Sequence, residues 1–193
     1  MIDPKLKGSL RRKLRQVQNE LKKTMIYVTH DQHEALTFAD NVTIVKDGRL
    51  VQQGTPQELH SQPETPFIGY FIGSPGMNLL DCRLKDDVLA FEDFELKISQ
   101  ALKDTLKPHG TYFQAGIRPE SIVPSTSGGN GAVDFKVTVV EDTGAYRVAT
   151  CEKQASRIKA RVPEAIPVSE GEALWLSFPE GKMNIFYNEK RIV

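Results

Sequence analysis

The chain has 193 residues, 39% of them apolar, with 25 Lys+Arg balanced by 25 Asp+Glu and only two cysteines. The charge balance removes the global electrostatic case for a nucleic-acid binder, and the apolar content excludes a disordered chain. Cys82 and Cys151 lie far apart with no C-x-x-C, which argues against a disulfide framework or zinc knuckle and fits a reducing compartment; no apolar run has bilayer-spanning length and the N-terminus lacks a signal-peptide core, so a soluble, non-exported chain is expected.

In chain order, Leu6, Leu10, Leu14, Val17 and Leu21 recur at spacings of four and three with Lys and Arg between them, which predicts an amphipathic helix over Asp3 to Lys23. Asp3 suits the N-cap and Pro4 the first helical position. Its basic face reads as solvated surface. Met25 to Thr29 reads as a short strand, apolar on both faces as in a covered parallel sheet. Asp31 then caps a helix, with Glu34 completing a capping box. This places His30 at the C-terminal end of a strand and just before a helix, the edge where open α/β sheets bind ligands. From position alone two readings stand, a chemical group and a structural hydrogen bonder.

Val42 to Val45 and Arg49 to Gln53 flank Asp47-Gly48, a dipeptide suited to the positive φ angles of a tight hairpin. The "TPQE" of Thr55 to Glu58 offers an N-cap, a Pro at the first position and a Glu at the third, predicting a helix from Pro56 to about Ser61. A second short helix is expected after Thr65. Helix and strand alternate to about Gly73, as in an α/β domain.

Beyond "GSPGMN" (Gly73 to Asn78) the period shortens to two. Strands are expected at 79–83, 88–91, 94–98, 112–117, 134–142, 147–151, 158–162, 173–178 and 183–187, with an intervening helix over Ser99 to Leu106. With the "STSGGNGA" loop, this pattern suggests a small barrel, a partly open five-stranded oligonucleotide- or oligosaccharide-binding type.

The stretch "LKKTMIYVTHDQHEALTFADNVTIVKDGRLVQQGTPQELHSQPETPFIGYFIGSPGMNLL" resembles the last third of the nucleotide-binding domain of ABC transporter ATPases, specifically importers of maltose, other sugars and glycerol-3-phosphate. "GIRPESI" (Gly116 to Ile122), "KVTVVEDTGAYRVATCE" and "RVPEAIPVSEGEALWLSFPEGKMNIFYNEKRI" resemble the transport-associated regulatory barrel of the same subunits. The ending departs from the Phe-Asp turn common there, reading Phe186, Tyr187, Asn188. The resemblance implies an α/β remnant of a P-loop NTPase domain over residues 1–76, followed by an all-β OB-like barrel domain over 77–193. It implies that His30 matches the switch histidine that contacts the γ-phosphate, a role suited to a directed donor at developing phosphoryl charge. It likewise implies that Asp3 matches the D-loop aspartate facing the partner's nucleotide, although Met1 and Ile2 replace the residues that normally precede it. Implied cofactors are ATP and Mg for the intact family, and implied partners are a second ATPase subunit in a homodimer and inner-membrane permease subunits. No nucleic acid is implied, and the location is cytoplasmic, peripheral to the inner membrane.

The sequence contains no G-x-x-x-x-G-K-[ST], so the backbone cradle and the Lys that grip the β- and γ-phosphates have no counterpart. The family's glutamine loop, signature and acidic strand are likewise not found. The expectation is a C-terminal portion of such an ATPase, inactive toward ATP alone, with an apolar strand face left uncovered and a tendency to associate. Two further readings stand beside it. One is a small-ligand binding or regulatory barrel for an oxyanion or sugar, for which Arg118, Arg147 and Arg161 are the candidate cations. The other is an OB-like nucleic-acid binder, disfavoured by zero net charge and a single Trp. No metal site is expected, since "HDQHE" is not H-E-x-x-H. The G-x-x-x-G of Gly69 and Gly73 reads as close packing. Asp86, Asp87, Glu92, Asp93 and Glu95 read as a solvated turn and a charge-protected edge strand, and His60 and His109 as surface or loop residues.

Overall fold

Helix α1 (Pro4–Leu21) realises the amphipathic segment in the computed structural model, which describes residues 4–129 and 131–193, the side chains of 4–7 and 11 excepted. Asp3, expected as its N-cap, lies outside the described residues. The helix ends where Lys22 turns left-handed at φ +50°, a conformation that stops helical hydrogen bonding. Helix α2 (Gln32–Phe38) is joined to α1 by Arg15, whose guanidinium donates to the Phe38 carbonyl (3.2 Å) and to Asp40 Oδ1 (2.6 Å). Strands β1 (Val42–Lys46) and β2 (Arg49–Gly54) form the expected hairpin, with Asp47 at φ +51° and Gly48 at φ +73° in the two-residue turn. Helix α3 (Pro56–Ser61) opens on a reciprocal capping box: Thr55 N–H donates to Glu58 Oε2 at 2.8 Å, and Glu58 N–H donates to Thr55 Oγ1 at 3.2 Å.

One expectation fails. Met25 to Thr29 forms no strand. A strand exists only through ladder bonds to a neighbour, and none pairs with this segment among the described residues. Ile26 and Val28 are therefore 87% and 90% exposed. His30 consequently follows an unpaired segment, not a strand end.

The chain divides into two compact units, Met1–Leu59 and His60–Val193. In the second, Thr65 Oγ1 accepts the Ile68 N–H (3.3 Å) to start α4 (Pro66–Phe71). All nine strands expected beyond Asn78 are present: β3 (Asn78–Lys85), β4 (Val88–Ala90), β5 (Glu95–Lys97), β6 (Tyr112–Ile117), β8 (Val133–Asp142), β9 (Arg147–Lys153), β10 (Ser156–Val162), β11 (Ala173–Ser177) and β12 (Met183–Tyr187). Two short strands were not foreseen, β7 (Val123–Ser125) and β13 (Lys190–Arg191), and α5 (Gln100–Leu106) starts on the Ser99 side chain. The strands divide into two antiparallel sheets, one of them five-stranded and partly closed, in keeping with the expected OB-type barrel. The first has the order β13-β12-β6-β3-β4-β5 and the second β10-β9-β8-β11-β7. In the second sheet β10 approaches β7, curling it toward barrel closure.

Alternation sorts the residues. Cys82, Leu89, Leu96, Phe113, Ala115 and Ile185 from the first sheet join Phe135, Val137, Ala149, Ile158, Leu174 and Leu176 from the second in one apolar cluster, and such burial dominates folding free energy. Phe94 stacks on Phe178 (5.6 Å) and meets Phe135 edge-on (5.5 Å) within it. Burial pushes both thiols, Cys82 and Cys151, up to about 12, so neither is a reactive nucleophile. Strand β5 is the edge of its sheet and carries the expected charges. Asp93, one of that acidic group, is structural, since its Oδ2 accepts the N–H groups of Ala155 (3.0 Å) and Ser156 (2.7 Å) and so closes the β9–β10 turn.

Candidate functional site

The segment around His30 is held by the residues beside it. Thr29 Oγ1 accepts the Asp31 N–H (3.0 Å) and donates to Glu34 Oε2 (3.0 Å), to which Tyr27 Oη also donates (3.1 Å). Asp31 Oδ1 accepts the Glu34 N–H at 3.2 Å, so Asp31 caps α2 as expected. Glu34 is only 4% exposed, and its carboxylate accepts from Tyr27 and Thr29. A buried carboxylate needs such donors to offset lost hydration. The result is a backbone clamped on both sides of His30 while its imidazole stays exposed. The arrangement can present one directed N–H donor ahead of a helix. It does not bring Glu34 to the imidazole as a general base, and among the described residues no group of three or more His, Cys, Asp or Glu converges to hold a metal. Tyr27 and Thr29 were missed as supports because their role depends on burial of Glu34, which the capping-box pattern alone does not reveal.

The second unit places "GIRPESI" at a buried polar junction. Arg118 is only 5% exposed. Its Nε and Nη2 donate to the His60 carbonyl (3.2 and 2.8 Å), and Nη1 donates to the carbonyls of Gly69 (2.9 Å) and Ile72. One planar fork thus satisfies the carbonyls at the ends of two short helices, α3 and α4, which have no intrahelical partners of their own. Burial pulls the guanidinium pKa down, and the nearby Glu120 carboxylate opposes it. Glu120 Oε1 lies 3.2 Å from His60 Nε2, and the hydrogen bond from His60 is the chief reason its pKa is lowered. Gly73 sits at φ +122°, and a Cβ there would stand 2.8 Å from Arg118 Nη1. At Gly69 it would stand 2.8 Å from Met77 Sδ. The G-x-x-x-G is therefore a packing device, as read.

The three arginines considered for an oxyanion cradle do not converge. Arg118 spends its donors on main-chain carbonyls. Arg147 Nη2 donates to the carbonyls of Pro163, Glu164 and Ile166 at 2.9–3.0 Å. Arg161 lies over the Tyr146 ring at 4.2 Å, a cation–π contact, and Tyr146 Oη donates to the Ser74 carbonyl at 3.1 Å. His60, expected as a surface residue, is half-exposed and paired with Glu120.

Similarity to known proteins covers nearly the whole chain. The family of the MalK OB fold domain matches residues 73–122, and the TOBE domain family matches residues 115–186. The chain is 33% identical over 187 residues to the sulfoquinovosyl glycerol transport ATP-binding protein SmoE of Agrobacterium fabrum, covering 96% of this chain and 52% of that protein. It is 35% identical over 189 residues to the sn-glycerol-3-phosphate import ATP-binding protein UgpC of Escherichia coli O157:H7, covering 97% and 52%. It is 31% identical over 198 residues to the maltose/maltodextrin import ATP-binding protein MalK of Vibrio vulnificus, covering 98% and 53%. The chain spans about half the length of these curated relatives.

Proposed function

This chain carries the MalK-type OB and TOBE domains of carbohydrate and glycerol-3-phosphate ABC importer ATP-binding subunits, and from that premise we propose that it supplies the switch histidine and the regulatory region of such a subunit without gripping nucleotide itself. On this reading residues 1–76 are the end of the nucleotide-binding domain and 77–193 the transport-associated regulatory domain. His30 is the donor to a terminal phosphate held by P-loop residues outside this sequence, and Asp3 is the D-loop aspartate. The observation that carries the proposal is the geometry at His30: an exposed imidazole between two clamped residues, ahead of helix α2. That arrangement fits a phosphate contact. The rest of the nucleotide finds no matching residues, because the sequence has no glycine-rich loop followed by Lys-Ser/Thr.

The working assembly on this reading pairs two ATPase subunits beneath inner-membrane permease subunits on the cytoplasmic side, with ATP and Mg supplied to the assembled site and none bound by this chain alone. A thermal melt tests the proposal: ATP·Mg leaves the melting temperature of the 193-residue chain unchanged, because only a ligand that prefers the folded state raises it. A clear rise on adding ATP·Mg overturns it. Light scattering tests the pairing, with a dimer expected and a strict monomer at all concentrations against it.

A further inference from the structure

We infer that the open cleft on the outer face of the first sheet of the second unit is a binding site for a neutral saccharide. The inference stands on this face alone and does not depend on the transport reading.

The face is built by register. In β3 and β6, Asp81 pairs with Gln114 and Arg83 with Tyr112. Alternation sends Cys82 and Phe113 into the core and these four side chains outward. The two cross-strand pairs are already organised: Gln114 Nε2 donates to Asp81 Oδ1 at 2.9 Å, and the Arg83 guanidinium lies 5.1 Å from the centre of the Tyr112 ring. Tyr112 is 68% exposed, a large aromatic surface that folding leaves in water. The cleft over this platform has a volume of about 850 Å³, and Glu92 and Glu189 stand on its rim. That volume lies within the range of small-molecule sites, which pair apolar and aromatic surface with a few convergent polar groups.

The chemistry of the lining selects the occupant. Its charged groups are Asp81, Glu92 and Glu189 against Arg83 and Lys85, so an anion meets more carboxylates than cations. This disfavours phosphate esters and a nucleic-acid backbone, which bind best to a basic surface. A purely apolar ligand would strand the polar rim without partners. A pyranose meets both demands. Its flat C–H face lies on the face of the Tyr112 ring that Arg83 leaves open, and its hydroxyls both donate and accept, matching Asp81 as acceptor and Gln114 as either. The open shape of the cleft implies weak binding in rapid exchange.

Saturation-transfer NMR on the 193-residue chain tests this, with maltose, methyl α-galactoside and xylose as probes and inorganic phosphate and sn-glycerol 3-phosphate as controls. The expected result is transfer to sugar ring protons at tens of millimolar sugar and none to the phosphates. Tyr112→Ala is expected to weaken the binding by about tenfold, the scale of one lost aromatic contact, and Tyr112→Phe to retain it. Asp81→Ala weakens it independently, and unchanged melting of the variants shows that the fold is intact. No transfer to any of the three sugars, transfer that survives both Tyr112→Ala and Asp81→Ala, or a response to the phosphates alone overturns the inference.

Discussion

The Asn78 carboxamide binds the main chain of Lys159 in both directions: Oδ1 accepts the Lys159 N–H at 2.8 Å, and Nδ2 donates to the Lys159 carbonyl at 2.9 Å. The other Nδ2 hydrogen goes to the Ile117 carbonyl at 3.2 Å. Strand β10 is the end strand of its sheet, so at Lys159 it turns an unladdered N–H and C=O outward. One side chain from the other sheet takes the place of a neighbouring strand there, and the two sheets are held in register by it. Asn78→Ala is expected to cost about 2–3 kcal/mol, because it leaves a half-buried N–H and carbonyl unpaired. Urea unfolding checks this: the midpoint falls while the slope stays constant.

Arg118 is expected to be the most sensitive charged position of the second unit. Arg118→Met fills the space but abandons the carbonyls of His60, Gly69 and Ile72, a loss of about 3 kcal/mol or more. Arg118→Lys recovers only part of it, since one ammonium cannot reproduce the fork that reaches both helices. Equilibrium unfolding of the two variants beside the parent measures both losses.

The His60–Glu120 pair sets an acid dependence. The folded Glu120 pKa is lowered, first by the hydrogen bond from His60 and also by the charges of His60 and Arg118. A lowered carboxylate pKa contributes stability that is fully present above the ordinary value of 4.5 and is lost as pH falls through the folded value. Both side chains are more than a third exposed, so solvent screening holds the contribution below about 1 kcal/mol. The melting temperature should therefore fall more steeply below pH about 4.5 in the parent than in Glu120→Gln. Parallel curves would remove this pair from the account.

Much of this architecture is legible in the sequence because the signals are local. Asp47-Gly48 specifies its hairpin through two left-handed residues, and Thr55 with Glu58 forms the capping box from four consecutive residues. Alternation located nine of the eleven strands described from Asn78 onward. The failures share a different cause. Met25 to Thr29 has strand composition, but a strand needs a neighbour, which no local pattern supplies. Strand β13 is Lys190–Arg191, polar by composition, and it pairs with β12 only because Asn188 and Glu189 both turn left-handed, at φ +48° and +63°, without a glycine. Strand β7 is three residues long with Pro124 in its middle, a residue that argues against strand in any sequence reading.

The candidate site was legible to a similar degree. His30 was placed between a strand end and a capped helix; the structure keeps the capped helix and not the strand. Its supports, Tyr27 and Thr29, became visible only once Glu34 was seen to be buried. Arg118 and Asn78 gave no local hint of their roles, since the carbonyls that Arg118 binds are 46 to 58 residues away and Lys159 is 81 residues from Asn78.

The most direct test is phosphate release from ATP·Mg by the purified 193-residue chain and by its His30→Ala variant. Both are expected to remain at the buffer background, because on the proposed reading His30 is a donor to a terminal phosphate in a sequence with no loop that grips the nucleotide. Turnover by the parent chain that disappears on His30→Ala would contradict this account.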